Sequence, residues 1–418
     1  MDLRSRLQRI RTLGNQNPRR ESETPGGRGV IPPLFELSFG ESGSLTLKRR
    51  LSVRIAEPLR PVFPETLSAL IPSLAGTSLK PENLVFFDIE TTGLSGGAGT
   101  AAFLAAFGRF EDENYHDLQV EQYLLLDYPG EPDFLRQIIQ ALGAGEAGER
   151  QPVIVSYNGK SFDSQIIKNR CLMNGFPPPV FYRHADILHT ARVLWKKILP
   201  SCSQGAVEKN ILRIERHSDT DGARAPDIWF SFLKTNNASE LAGVCRHNVL
   251  DIAGLASLFS VVNNIAHDPV RCGEKYMADT EALALRVRRH RLKYKSTQAE
   301  IVEIEKRLLE KAAADGVPLA MLLLGKSMLE NKRYGEGRGT LEKLAQKNNG
   351  VLSAVADRTL AIDSEWRMPD TELALFYTER ALARPNIGAA FTADMQRRRE
   401  RLIRKKTAEL NSAPSLAL

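Results

Sequence analysis

An apolar run that ends in two acids one residue apart constrains this chain more than any other feature. Leu84-Val85-Phe86-Phe87 leads into Asp88-Ile89-Glu90 and then into Thr91-Thr92-Gly93. Residues i and i+2 of a strand share a face, so Phe86, Asp88 and Glu90 line one side. That side turns from aromatic to acidic where a turn begins. Two carboxylates this close repel one another when both are ionised. A divalent cation removes the repulsion, and hard oxygen ligands suit magnesium or manganese. The competing reading is a strand with a plain polar outer face. Phe86, at the preceding same-face position, argues against it.

The flanking segments read as an α/β domain over residues 82–268. A glycine-rich turn, Gly93 to Thr100, precedes strands at 101–110 and 119–127. Two short connections joining three strands imply an antiparallel meander. Phe134, Leu135, Ile138, Ile139 and Leu142 then recur with a helical period over 131–142. A strand at 152–157, a helix at 161–174, a short strand near Phe181 and a helix at 187–198 follow. Residues 200–236 are loop-rich and end in a segment with Trp229, Phe230 and Phe232. A helix over 238–265 comes next, with Asn237 as its expected cap and Glu240 three residues on. Three antiparallel strands followed by alternating helix and strand describe the ribonuclease H type of fold. That fold hosts both phosphodiester chemistry and inert domains, so function has to come from the site.

Three other regions flank this domain. Residues 1–30 are rich in Arg, Gly, Pro, Asn and Ser and are expected to be a disordered basic arm. Residues 31–81 are a lead-in expected to pack beside the domain, with short strands at 45–47 and 51–55. Residues 275–411 are alanine- and leucine-rich and helical. Leu319–Gly325 followed by Tyr334 and Leu341 resembles a tetratricopeptide-like helical pair, with further helices expected at 353–362 and 372–383. Such arrays usually bind proteins or peptides, so a protein partner is expected there.

Charge and composition narrow the classes of function. The formal net charge of +7 favours a polyanionic partner. No apolar run is expected to approach the length of a membrane-spanning helix, and the first residues lack a hydrophobic signal core, so a cytoplasmic protein away from the membrane is expected. Cys171, Cys202, Cys245 and Cys272 form no Cys-x-x-Cys pair, which indicates neither a zinc site nor a disulfide framework. Gly159-Lys160-Ser161 and Gly325-Lys326-Ser327 echo the end of a phosphate-binding loop. Ile154 and Ala320 stand where the required earlier glycine belongs, which sets nucleotide hydrolysis aside. The basic run Arg286–Lys293 is either a solvated helix face or a guide for nucleic acid, and phosphate contact would make binding salt-dependent.

Two further motifs carry acids. Asp163 closes Asn158-Gly159-Lys160-Ser161-Phe162-Asp163, directly after a buried strand and in the first turn of a helix. It either favours the helix dipole or reaches a cation held by Asp88 and Glu90. In His247-Asn248-Val249-Leu250-Asp251, positions i and i+4 of a helix project together. Asp251 is then a further metal ligand, and His247 is placed to orient or deprotonate water. Asp186 is either a helix cap or a supporting polar group, while His184 and His189 read as structural.

Taken jointly, these three motifs resemble those of the DEDD 3′–5′ exonucleases. Gly93–Thr100, Ala191–Lys196 and Leu199–Ser203 bring the likeness closer to the YprB-like branch of ribonuclease H-fold proteins, over roughly 82–265. The resemblance implies a metal-dependent 3′–5′ exonuclease that hydrolyses single-stranded DNA or RNA with two divalent cations, Mg2+ or Mn2+. Asp88, Glu90, Asp163 and Asp251 would be the metal-binding acids, Asp88 bridging both ions, and His247 the water-activating residue. His-type members usually place four residues between the histidine and the last aspartate; here three intervene, as in Tyr-type members. Tyr157, Asn158, Phe162 and Arg192 are candidates for the path of the strand, with core packing as their alternative. Two rival functions stay open: a helical-repeat scaffold with an inactive nuclease fold, and a structure-selective endonuclease.

Overall fold

The computed structural model describes residues 36–39, 45–93, 99–111, 113–143, 151–216, 219–235, 237–347 and 350–412. The arm at 1–30, residues 94–98 of the glycine-rich turn and the tail beyond Ser412 lie outside the described residues. The chain divides into two compact units, residues 1–279 and 280–418.

The first unit is built on strands β1 (Glu36–Phe39), β2 (Leu45–Arg54), β3 (Leu84–Thr91), β4 (Ala102–Phe110), β5 (Asp117–Leu125), β6 (Val153–Ser156) and β7 (His184–Asp186). They form a seven-stranded sheet in the order β1-β2-β5-β4-β3-β6-β7. The expected meander is β3-β4-β5, antiparallel throughout. Strands β6 and β7 add in parallel on the far side of β3. The helices are α1 (Glu65–Leu70), α2 (Glu131–Ala141), α3 (Asp163–Met173), α4 (Ile187–Trp195), α5 (Ala225–Thr235) and α6 (Leu241–His267).

Alternation along β3 sorts its side chains. Phe86 meets Phe259 of α6 edge-on at 6.0 Å, which sets α6 against the face that also carries Asp88. Phe87, on the opposite face, stacks on Phe107 at 5.3 Å. There it joins a core with Phe134 and Ile138 of α2, Ile166 of α3 and Trp229 of α5. Burial of such large apolar side chains, each about 1.5–3 kcal/mol, anchors β3 at the centre of the sheet.

Four expectations need correction. Residues 45–54 do not pack beside the domain; they are one continuous strand of its sheet. Strand β2 pairs with β5 from Thr46↔Leu125 to Arg54↔Asp117. Lys48 and Arg50 both reach Glu121 across this ladder, at 3.3 and 2.5 Å. Residues 200–236 are more helical than expected, with a helical turn at Gln204–Val207, a π-helical stretch at Glu208–Leu212 and a 3-10 turn at Gly222–Arg224 before α5. Asn237 does not cap α6; its side chain accepts from the Ser239 backbone at 3.0 Å, and the helix begins after Glu240. Finally, α6 is long and apolar enough to cross a membrane by length and composition, with a window of mean hydropathy 1.6, and 89% of that window is buried inside the domain.

The second unit is all helical: α7 (Thr280–Tyr294), α8 (Ala299–Ala314), α9 (Pro318–Glu330), α10 (Tyr334–Gln346), α11 (Gly350–Trp366), α12 (Thr371–Leu382) and α13 (Ala389–Ser412). Each helix packs on the next. Gly325 belongs to the packing of α9 on α10: a Cβ there would lie 2.7 Å from Leu341 Cγ. On the basic helix α7, Arg288 and Arg291 both bind the buried Glu305 of α8. Asp357 of α11 is fully buried and is held by Arg380 at 2.6 Å and Arg384 at 3.0 Å.

Candidate metal centre

Strand β3 outruns its parallel neighbour. Pairing with β6 stops at Phe86↔Val155, while β4 continues alongside Asp88 and Glu90. The chain leaving β6 turns beside these acids. Asn158 takes a left-handed backbone there, φ 66°. Asp186 fixes the turn: its carboxylate accepts from the backbone N–H of Asn158 at 2.9 Å and of Lys160 at 3.2 Å. It also caps α4 through Leu188 N–H at 3.1 Å. Asp186 is thus both helix cap and support. The turn delivers Asp163 to the start of α3, where it is buried.

Helix α6 supplies the other side. Asn248 donates to Asp88 Oδ2 at 2.7 Å and accepts from Gln122 Nε2 at 2.7 Å. Gln122 in turn accepts from Arg49 Nε at 2.6 Å. A buried relay therefore runs from β2 through β5 and α6 to the first acid of β3. His247 and Asp251 project from α6 together, Nε2 lying 3.3 Å from Asp251 Oδ2.

Residues 204–216 and 219–224 lie along α6 and complete the surroundings. Arg216 grips Glu208 through two bonds of 2.8 Å and reaches Asp251 Oδ1 at 2.7 Å. It also contacts Asp219 Oδ2 at 3.2 Å. The same oxygen of Asp219 lies 2.9 Å from His247 Nδ1. Gln204 donates to Glu208 and to the Asp251 carbonyl. Gly243 and Gly254 let the segment approach, because a Cβ at either would collide with Thr220 or Glu208.

The electrostatics show how closely the acids converge. Burial first, then Asp251, Asp163 and Glu90, push the Asp88 carboxyl well above the usual range, with the Asn248 hydrogen bond opposing. Glu90 is pushed up to about 8 by burial and by Asp251, Asp163 and Asp219. Asp163 is pushed up to about 8 by burial, Asp186 and Asp251. Unpaired carboxylates at such density bind protons or a cation. Glu90, His247 and Asp251 each offer one ligand atom, all within 4.8 Å of one another. This oxygen-rich set fits magnesium or manganese.

Of the five residues singled out in the sequence, Glu90, His247 and Asp251 offer ligand atoms within 4.8 Å of one another, and Asp88 and Asp163 feel the charge of Asp251. The proposed strand contacts separate into two kinds. Asn158 and Arg192 are exposed, whereas Phe162 packs against the core and the Tyr157 hydroxyl donates to the Cys202 carbonyl. His184 is buried in β7 against Ser156 Oγ at 2.7 Å, and burial lowers its pKa to about 4. His189 is exposed on α4. Arg216, Asp219 and Asn248 were not anticipated. Only Asn248 left a signal, since it stands three residues before Asp251 and so shares its helix face.

Residues 85–263 match the model of the RNase_H superfamily. The chain is also similar to the uncharacterized protein YprB of Bacillus subtilis (strain 168), 32% identical over 324 residues, which cover 76% of this chain and 73% of that protein.

Proposed function

The chain belongs to the RNase_H superfamily, and from that premise we propose that its first unit is a metal-dependent nuclease acting as a 3′–5′ exonuclease. One observation carries this: Asp88, Glu90, Asp163 and Asp251, from β3, the start of α3 and α6, act on one another electrostatically at the end of one strand. These four acids would hold two divalent cations, Mg2+ or Mn2+. Bound there, such ions would supply Lewis acidity for activating water and positive charge for the oxygens of an in-line displacement. Asn248 fixes one oxygen of Asp88 and leaves the other for a ligand. His247 presents Nε2 on the side of Asp251, where it takes the proton of the attacking water. Asn158, in the turn after β6, and Arg192, on α4, are exposed and would contact the strand. The net charge of +7 supports a polyanionic substrate.

The test is digestion of matched 5′-labelled single-stranded DNA and RNA with Mg2+ or Mn2+, wild type beside Asp88→Ala. Stepwise shortening from the 3′ end, abolished by chelator and by the substitution, is expected. Equal activity in Asp88→Ala refutes the proposed site. Cleavage of circular single-stranded DNA, which offers no 3′ end, assigns an endonuclease instead.

A further inference from the structure

We propose that Asp219 and Gly222 are positioning residues for His247: Asp219 fixes the imidazole as its Nδ1–H tautomer, and Gly222 keeps Nε2 accessible. The purpose of this arrangement rests on the nuclease function proposed above; its existence rests on geometry alone.

Asp219 Oδ2 lies 2.9 Å from His247 Nδ1. A carboxylate oxygen at this distance from a ring nitrogen accepts, so the geometry places a hydrogen on Nδ1, and in the neutral ring Nε2 keeps its lone pair. Nε2 then stands 3.3 Å from Asp251 Oδ2. In this tautomer both are acceptors, and they are satisfied by a donor placed between or beside them. The O–H of a water molecule is such a donor, which matches the task of a proton acceptor. The ring is bracketed by two carboxylates that one guanidinium ties together. Arg216 touches Asp219 Oδ2 at 3.2 Å and Asp251 Oδ1 at 2.7 Å, while Glu208 holds it by two bonds. The angle of the ring is therefore set by four side chains rather than by α6 alone.

Gly222 provides the second, independent observation. A Cβ built there lies 2.9 Å from His247 Nε2 and 3.5 Å from Cδ2. Any side chain at 222 would cover the nitrogen that Asp219 keeps free. No left-handed backbone angle requires glycine at this position, so the restriction comes from the histidine.

The experiment uses the full chain loaded with Mg2+, labelled with 15N-histidine, His247 being assigned through His247→Gln. Wild type is expected to show His247 as the Nδ1–H tautomer, and Asp219→Ala to shift it toward Nε2–H. A wild-type ring that is Nε2–H or carries a hydrogen on both nitrogens, or a tautomer unmoved by Asp219→Ala, overturns the proposal. Gly222→Ala, checked for an unchanged melting temperature, is expected to lower kcat at least tenfold while KM for the strand and Mn2+ affinity by calorimetry stay within twofold. A kcat equal to wild type, or a loss confined to KM, overturns the role of Gly222. A wild-type protein that cleaves nothing refutes the nuclease function, and the tautomer measurement still decides the geometry.

Discussion

Glu90 gives the sharpest test of the acidic cluster, because its energetic cost depends on pH in a calculable way. Its carboxyl is pushed up to about 8 in the folded chain, against an ordinary value of 4.5. Between those values the folded protein holds a proton that the unfolded chain has released. Folding then takes up a proton, so stability falls as pH rises through this window and levels off above it. The difference of about 3.5 units corresponds to a ceiling of about 5 kcal/mol at 1.36 kcal/mol per unit. Partial contact of the side chain with solvent trims this figure. Glu90→Gln removes the group that titrates. In chelator, the substituted protein should gain several kcal/mol over wild type between pH 5 and pH 9. Comparing the two pH values cancels any fixed cost of the amide. Denaturant unfolding followed by circular dichroism at each pH measures it. Saturating Mn2+ should restore wild type and not the variant, since binding at a hundred times Kd adds about 2.7 kcal/mol. A stability difference that does not change with pH refutes the close packing of these acids.

Two further outcomes follow from buried polar links. Asn248→Leu strands Asp88 and Gln122 without their shared partner; it should cost about 1–3 kcal/mol in unfolding and weaken Mn2+ binding about 10- to 100-fold by calorimetry. Unchanged affinity would mean that the relay does not orient Asp88. Asp357→Ala removes the buried acid that Arg380 and Arg384 share, while Arg380 keeps Glu342; it should destabilise the helical unit by about 1–3 kcal/mol, read by hydrogen exchange over residues 280–412.

What was legible in the sequence had a period or a short motif. The i, i+2 acids of β3 and the i, i+4 pair His247 and Asp251 follow from local geometry, and the amphipathic helix at 131–142 was evident for the same reason. Asp163 needed only the recognition that it follows a buried strand. The misses depend on partners distant in sequence. Short strands were expected at 45–47 and 51–55 but not their union through Arg49 and Arg50, whose partners Gln122 and Glu121 lie 73 and 71 residues away. Arg216 and Asp219 sit on irregular backbone after a π-helical stretch, where no periodicity says which way a side chain points. Their acidic and imidazole partners emerge from a helix about 30 residues later. The short strand expected near Phe181 forms at His184–Asp186, because Ser156 and Asp186 pair there.

The pairing of β2 with β5 also decides where this protein can be cut. Motif boundaries invite a fragment beginning near residue 82. Such a fragment would bare the whole flank of β5, whose backbone groups from Asp117 to Leu125 are otherwise paired with β2. Exposed strand flanks template pairing with other molecules, and natural sheets shield them. The same cut removes Arg49 and leaves the relay to Asp88 without its first member. A truncated fragment that clumps and fails to bind Mn2+ would therefore report on its missing strands and say nothing about the chemistry of the four acids.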